Sequence, residues 1–101
     1  MFRNDYRIYC SVLFGEKNTI IVDWKIVDGK LVQLYLFDTQ TQLAEFLLKV
    51  ANYADSIDHH PDYKVFQCSK VEFALFTHDK NEITELDHQL AAFITSCYNN
   101  Y

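Results

Sequence analysis

The sequence lacks the features of nucleic-acid-binding and disulfide-stabilised proteins. Its nine Lys and Arg residues are scattered among 14 Asp and Glu residues, and the formal net charge is -5. Because binding to a phosphate backbone needs clustered positive charge, we expect no direct nucleic-acid binding. The three cysteines, Cys10, Cys68 and Cys97, are far apart and form no CxxC pair. This spacing favours free thiols in a reducing compartment, so we predict a cytoplasmic location.

Long apolar runs and linkers are also missing. No stretch approaches the ~20 consecutive apolar residues that span a membrane. The apolar run at residues 12–14 is too short for the core of a signal peptide, and we expect no membrane association. The 101 residues include only two glycines and one proline, with no linker, repeat or low-complexity tract. They predict a single domain, residues 1–101.

Apolar side chains, in contrast, are abundant. Half of the residues are hydrophobic and 16% are aromatic, a composition that favours a packed globule over disorder. A domain this small has much surface for its volume, so part of this apolar surface is expected to lie between subunits. The composition therefore predicts a homo-oligomer.

The first half of the chain has the pattern of a hairpin followed by a helix. Two runs rich in Ile, Val and Leu, residues 19–27 and 31–37, flank Asp28-Gly29, which is typical of a tight turn between strands. Thr39 and Gln42 then have the spacing of a helix capping box. Apolar residues at three- and four-residue steps predict the buried stripe of the helix, and these are Leu43, Phe46, Leu47, Val50, Ala54 and Ile57. Pro61 ends it.

The second half has the pattern of strands followed by another helix. Residues 65–77 alternate in polarity and predict one strand or a bent pair of strands. Thr84 and Asp87 have capping-box spacing at the start of a second helix. Its predicted buried stripe is Leu86, Leu90, Phe93, Ile94 and Cys97. The resulting order predicts an α+β fold, a single-layer and mainly antiparallel four-stranded sheet with helices packed on one face.

Three of the four histidines lie at the ends of these elements. His59 and His60 follow the first helix, and His78 follows the last strand. Such loop positions often carry functional groups, and the ordinary histidine pKa of ~6.5 suits proton transfer near neutrality. Several carboxylates are near enough in sequence to orient an imidazole, namely Asp55, Asp58, Asp79 and Asp87. The sequence therefore predicts an acid–base site without an obvious nucleophile.

The arrangement of these residues resembles a known signature. The segment DSIDHHP at residues 55–61, followed by Thr77-His78-Asp79 and then Asp87, is similar to the motif of the pterin-4a-carbinolamine dehydratases. Trp24 also matches a tryptophan of that family, and the resemblance covers residues 24–98. Asp55 stands where the family more usually has Glu, and Cys68 stands where it has an aromatic residue. Residues 1–22 do not resemble the N-terminal helix of the family.

The resemblance implies an activity and a set of site residues. The activity is dehydration of 4a-hydroxytetrahydrobiopterin to quinonoid dihydropterin and water, in tetrahydrobiopterin recycling and without a metal or organic cofactor. It implies His60 and His78 as the leading acid–base residues, with His59 as a binder of the pterin substrate and a further proton donor. The residues implied to contact or surround the substrate are Asp55, Asp58, Thr77, Asp87 and Trp24.

Four alternatives remain open from the sequence. One is a pterin-binding protein of the same fold with an altered substrate preference, suggested by Asp55 and Cys68. Two adjacent histidines after a helix can simply be a solvated C-terminal turn attracted to the helix dipole. His59, His60, His78 and Cys68 could form a zinc site, although adjacent histidines lack the usual ligand spacing. The chain could also be a non-enzymatic dimerisation or coactivator module with a protein partner, since some animal members of the family bind a homeodomain transcription factor.

Overall fold

The computed structural model describes residues 24–100. The elements in chain order are β1 (Lys25–Val27), β2 (Lys30–Leu36), α1 (Gln40–Ile57), β3 (Asp62–Phe66), β4 (Lys70–Leu75) and α2 (Glu85–Tyr98). The strands form one antiparallel sheet in the order β1-β2-β4-β3, and the predicted α+β fold is confirmed. The predictions for residues 1–23, including the thiol of Cys10 and the start of the first strand, lie outside the described residues.

Both hairpins turn through two residues with positive φ. Asp28 and Gly29 make the β1–β2 turn, with φ of 52° and 77°, as their sequence predicts. In the β3–β4 turn the positive-φ residues are Gln67 at 49° and Cys68 at 63°. Neither has the conformational freedom of glycine, and neither is a usual turn residue there. The region predicted as one strand or a bent pair is therefore two strands, and β3 begins three residues before the predicted start.

Helix α1 begins and ends through local hydrogen bonds. The Thr39 hydroxyl accepts from the Gln42 N–H at 3.1 Å, while the Gln42 side-chain oxygen accepts from the Asp38 N–H at 3.1 Å. The Gln42 side chain thus bonds one residue further upstream than a capping box requires. At the other end Asp58 adopts φ of 53°, and the His59 N–H donates to the Ala54 carbonyl at 3.1 Å. The left-handed conformation of Asp58 and this hydrogen bond fix the backbone of His59 against the last turn of α1.

The core lies between the sheet and the two helices. Leu31 and Tyr35 of β2 face Leu75 and Val71 of β4 across the ladder, and all four are buried. The helices cover this face with their own buried residues, Leu43, Phe46, Val50 and Ala54 from α1 and Leu90, Ala91 and Ile94 from α2. Most of both predicted apolar stripes therefore packs inward. No helix within residues 24–100 is long and apolar enough to cross a membrane.

The first turn of α2 differs from its predicted stripe. Leu86 was predicted to be buried, but 40% of it is exposed. The next residue, Asp87, points inward and is completely buried. The prediction for Leu86 is wrong because the polar contacts of Asp87 set the rotation of this first turn. A carboxylate thus occupies the position that the apolar pattern assigned to a leucine.

Candidate active site

A buried histidine–aspartate pair lies where α1, β4 and α2 meet. The His59 Nε2 atom is 2.6 Å from Oδ1 of Asp87. The side chain of His59 is 12% exposed and that of Asp87 is completely buried. The cap of α1 positions the histidine, and the first turn of α2 supplies the carboxylate. Two residues that are 28 positions apart in the chain therefore form one unit.

Three donors hold the Asp87 carboxylate. Besides His59, the Thr77 hydroxyl donates to Oδ2 at 2.7 Å and the Thr84 N–H donates to Oδ2 at 2.9 Å. Burial alone raises the pKa of Asp87, but the hydrogen bonds from His59, Thr77 and Thr84 outweigh it and lower this pKa below 3.8. The carboxylate is therefore ionised near neutrality. Since it can only accept, the His59 proton is on Nε2, and a neutral His59 ring has its acceptor at Nδ1.

The adjacent histidine forms a second pair in a different environment. The His60 Nε2 atom is 2.7 Å from Oδ1 of Asp55, in the last turn of α1. The exposed fractions of these side chains are 54% and 72%. This carboxylate belongs to the first residue of the DSIDHHP segment, and the geometry joins it to His60. The His60 ring is thus oriented and open to solvent.

The third histidine pairs with a carboxylate that the sequence did not indicate. The His78 Nε2 atom is 3.8 Å from Oδ2 of Asp62, and both side chains are largely exposed. The edge of the His78 ring also meets Phe76, with ring centroids 5.4 Å apart. Asp62 faces Ala74 across the β3–β4 ladder, whereas the next pair, Tyr63 and Phe73, belongs to the core face. His78 and Asp62 therefore lie on the face of the sheet that the helices leave open.

The three histidines have no direct ring contact, and their separate pairs are related through neighbouring positions in the chain. His59 reaches Asp87, and Asp87 in turn holds Thr77, the residue before His78. His78 reaches Asp62, which lies two positions after His60. All three imidazoles use Nε2 for their carboxylate. The contacts described among residues 24–100 do not enclose the three histidines in one cavity.

Trp24 lies apart from the histidines. Its Nε1–H donates to Oγ1 of Thr95 at 2.9 Å, and the Tyr35 hydroxyl lies 3.1 Å from the same oxygen. Burial raises the pKa of the Tyr35 hydroxyl, which keeps it protonated and able to donate. Thr95 is eight residues after Asp87 on α2, about 12 Å along the helix axis. The contacts of Trp24 therefore stabilise the core beside α2 and do not join the histidine pairs.

Asp58, Asp79 and Cys68 lie outside the three histidine–carboxylate pairs. Asp58 is exposed, and its backbone forms the cap of α1; Asp79 is exposed in the loop after β4. Cys68 lies in the turn at the opposite end of β4 from His78. The four ligands of the zinc alternative are therefore not brought together. Among residues 24–100 no cluster of three or more His, Cys, Asp or Glu side chains is arranged to hold a metal ion.

Thr77 holds the buried carboxylate of Asp87 through its hydroxyl. Its hydroxyl bonds Asp87 and lies 2.7 Å from the hydroxyl of Thr84. A hydroxyl has one donor, and here that donor is used on the carboxylate. Thr77 therefore orients Asp87 in this structure, and through Asp87 it orients His59.

Known proteins are similar to most of this chain. The family model described as pterin 4 alpha carbinolamine dehydratase matches residues 14–97. A Herpetosiphon aurantiacus protein with a provisional assignment to that activity is 40% identical over 68 residues, which are 67% of this chain and 70% of the relative. A similarly assigned protein of Prochlorococcus marinus strain NATL2A is 38% identical over 88 residues, covering 86% of this chain and 87% of the relative.

Two solved structures share the fold. A transcriptional coactivator/pterin dehydratase from Brucella melitensis superposes with a TM-score of 0.69 and 25% identity, covering 97% of each chain. A pterin dehydratase-like protein identified as a RuBisCO assembly factor in the alpha-carboxysome superposes with a TM-score of 0.64 and 19% identity, covering 75% of this chain and 89% of that one. At 19% identity the second structure shows the fold alone. From the family match and the relatives, we conclude that this chain belongs to the pterin 4 alpha carbinolamine dehydratase family.

Proposed function

We propose that this chain dehydrates 4a-hydroxytetrahydrobiopterin to quinonoid dihydropterin and water, in tetrahydrobiopterin recycling. The observation that carries the proposal is the set of three imidazoles, each paired through Nε2 with a carboxylate. A carboxylate on one nitrogen fixes the orientation of the ring, which leaves Nδ1 to exchange a proton with substrate. Family membership supports pterin as the substrate class.

The reaction needs one proton donor and one proton acceptor. The bond from C4a to its hydroxyl breaks as the oxygen takes up a proton and leaves as water, while a ring N–H loses a proton and its electrons form the new double bond. His60 and His78 have exposed rings that a substrate can reach. We assign them the two proton transfers. Asp55 orients His60, as Asp62 orients His78.

His59 and Asp87 have a supporting role in this proposal. The His59 ring is mostly buried and bound to Asp87, so it offers substrate little beyond its Nδ1 edge. That edge can bind the pterin as a fixed hydrogen-bonding partner, with Thr77 and Asp87 holding the ring in place. This assignment agrees with the sequence expectation that His59 acts mainly as a binder.

The test is an assay with chemically generated 4a-hydroxytetrahydropterin, in which ultraviolet absorption follows quinonoid product above the spontaneous rate. Replacing His60 or His78 by Ala should lower kcat by ~10²–10⁴-fold, the range for a lost general acid or base. The double variant should lose less than the product of the single effects, because the two residues act in one reaction. His59→Ala should raise KM more than it lowers kcat.

The matched control is His88→Ala. His88 is exposed on α2 and makes no contact with the histidine–carboxylate pairs, so its kcat and KM should remain those of the wild type. A correctly folded His60→Ala, His78→Ala double variant with wild-type turnover would contradict the acid–base assignment. Loss of activity on chelation that zinc restores would contradict the expected independence of metal.

The rival candidate is a non-enzymatic assembly or coactivator module. The Brucella structure combines coactivator and dehydratase in its description, and this chain exposes large apolar side chains of the kind that interfaces bury. Examples are Ile26 at 69% and Leu48 at 63% exposure. These side chains support a homodimer or homotetramer, in which enzymatic and assembly roles can coexist. Light scattering that gives the mass of one 11.9 kDa chain at micromolar concentration would contradict the oligomer.

A further inference from the structure

A concavity adjoins His78 on the open face of the sheet. It measures roughly 660 Å³ and lies between the β1–β2 turn, the end of β4 and the loop that follows. This volume is within the range of small-molecule sites. Its lining residues include Asp28, Lys30, Phe76, His78, Asn81 and Glu82. Because His78 lines this concavity, a substrate that contacts the His78 ring also reaches it.

The walls of the concavity are fixed by local structure. Thr77 and Glu82 exchange backbone hydrogen bonds of 3.1 and 3.4 Å, and the Asn81 N–H donates to the His78 carbonyl at 3.3 Å. Asn81 itself adopts φ of 55°, a conformation that asparagine tolerates better than most residues. The loop is therefore a closed turn that presents Asn81 next to His78. On the opposite wall, the Asp28-Gly29 turn sets the position of Lys30.

Lys30 is the cation of this concavity. Its Nζ atom lies 5.6 Å from the centroid of the Phe76 ring, a cation–π distance. No carboxylate among residues 24–100 lies within ion-pair distance of the Lys30 ammonium. An ammonium on an aromatic ring, without a carboxylate partner, keeps donors available for a ligand. Phe76 also contacts the edge of His78, so the cation and the histidine share one aromatic support.

The charges of the lining indicate the kind of ligand. Lys30 and the Asn81 amide offer donors, whereas Asp28 and Glu82 offer acceptors and two negative charges. A polyanionic chain, such as one that carries glutamate, would meet more negative than positive charge. A neutral chain with hydroxyl groups can use both the donors and the acceptors. The mixture therefore favours hydroxyl groups over carboxylates.

We propose that this concavity is the subsite for the substituent of the pterin ring, that it takes a neutral hydroxylated chain, and that Lys30 is the residue that selects it. The inference rests on the proposed function for the orientation of the ring at His78. It adds a specificity-determining residue outside the histidine motif, on a hairpin that the motif does not include.

Binding measurements test the subsite without requiring turnover. Two oxidised, fluorescent pterins that differ only in the substituent, dihydroxypropyl or methyl, are titrated with the intact chain. The wild type should bind the dihydroxypropyl pterin about tenfold more tightly, as expected of one or two added hydrogen bonds. Lys30→Met keeps an unbranched apolar stem over Phe76 and removes the ammonium, so this preference should fall to about twofold or less. Asn81→Gly keeps the positive φ accessible and should reduce it in part.

The control is Lys49→Met, which removes a lysine from α1 outside this concavity and should leave the tenfold preference unchanged. Equal affinity of the wild type for the two pterins, or a preference that survives both Lys30→Met and Asn81→Gly, overturns the subsite. Tighter binding of a pterin with a glutamate-bearing substituent overturns the preference for a neutral chain.

The dehydration assay on the methyl-substituted carbinolamine separates this inference from the proposed function. Lys49→Met, which lies outside the concavity, should dehydrate that substrate at the wild-type rate. A chain that binds with the stated preference but dehydrates neither substrate keeps the subsite and loses the proposed function. A chain that dehydrates both substrates but binds both pterins equally keeps the function and loses the subsite.

Discussion

His59 and His60 are neighbours in the chain, and each lies at a similar distance from its carboxylate partner, but the two pairs differ in their exposure to solvent. The two Nε2–Oδ1 distances are 2.6 and 2.7 Å. The first pair, His59 with Asp87, is nearly excluded from solvent, whereas the second, His60 with Asp55, is mostly exposed. A short distance therefore does not identify the residue that transfers a proton. Burial separates a pair that stabilises the fold from a pair that is open to substrate.

The two pairs differ in whether water can replace the hydrogen bonds of a removed partner. Water screens the exposed pair and can hydrate either partner if the other is removed. Around Asp87, the Thr77 hydroxyl, the Thr84 N–H and His59 all depend on one buried carboxylate. Removing that carboxylate leaves several donors unsatisfied in a place that solvent hardly reaches. The buried pair should therefore matter for folding as well as for the orientation of His59.

The largest predicted difference between the pairs is in stability. Asp87→Ala should lower the free energy of unfolding by about 3–5 kcal/mol, the cost of breaking a buried charged pair. Asp55→Ala, the matched change in the exposed pair, should lower it by only ~0–1 kcal/mol. Urea denaturation followed by circular dichroism measures both values. Similar losses for the two variants would show that burial does not distinguish the pairs.

The pH dependence of stability sharpens the same comparison. The pKa of Asp87 lies below its ordinary value of 3.8 in the folded chain because hydrogen bonds outweigh its burial. In the window between those two pKa values the unfolded chain binds more protons, so stability rises with pH there. The contribution of this carboxyl is fully present above about pH 4 and disappears as pH falls through the lowered pKa.

A neutral variant isolates that contribution. Asp87→Asn cannot titrate, so its urea midpoint should fall less steeply than that of the wild type as pH decreases below about 4. The variant should also be less stable than the wild type at neutral pH, since it lacks the charge that holds His59. Parallel curves for the two proteins across this range would argue that Asp87 makes no special contribution to acid unfolding.

The third pair, His78 with Asp62, should show the smallest effect. At 3.8 Å between largely exposed groups, the carboxylate should contribute at most ~1 kcal/mol, so Asp62→Asn should lower kcat by about two- to fivefold. KM should change little, because the proposed role is to orient a proton-transferring ring. Asp79→Asn removes the acidic neighbour of His78 in sequence, which the structure leaves exposed, and should have no effect. An equal loss in both variants would point to general surface charge.

Local signals predicted most of the fold. Asp28-Gly29 predicted the first hairpin because the dipeptide favours the positive φ that the turn needs. Thr39 predicted the start of α1 because its hydroxyl caps the helix. The second hairpin was ambiguous because Gln67 and Cys68 adopt positive φ without a turn signature. The pairing of β3 with β4 determines that turn, and no local sequence pattern predicts it.

The sequence indicated candidate site residues, but it did not indicate which residues that are distant along the chain contact each other. The motif identified His59, His60 and Asp87, but the partner of each histidine follows from tertiary structure. Asp62 went unnoticed because its contact with His78 depends on the register of β3 against β4. Leu86 was misplaced because the apolar pattern ignores the polar contacts that turn Asp87 inward. The sequence indicated the histidines as candidate groups, whereas tertiary packing determines which carboxylate each one contacts and how exposed each pair is.

The strand order also has a consequence for how the chain folds. The β1–β2 and β3–β4 pairs are hairpins between consecutive strands, but the central ladder joins β2 to β4 with all of α1 and β3 between them. Closing that loop costs entropy before its contacts can repay it. We therefore expect the docking of β2 on β4 to be the slow step of folding. The buried pair joins the end of α1 to the start of α2 beside β4, so it can form only when docking is complete. An early species with both hairpins formed would thus expose apolar surface and have no assembled acid–base site.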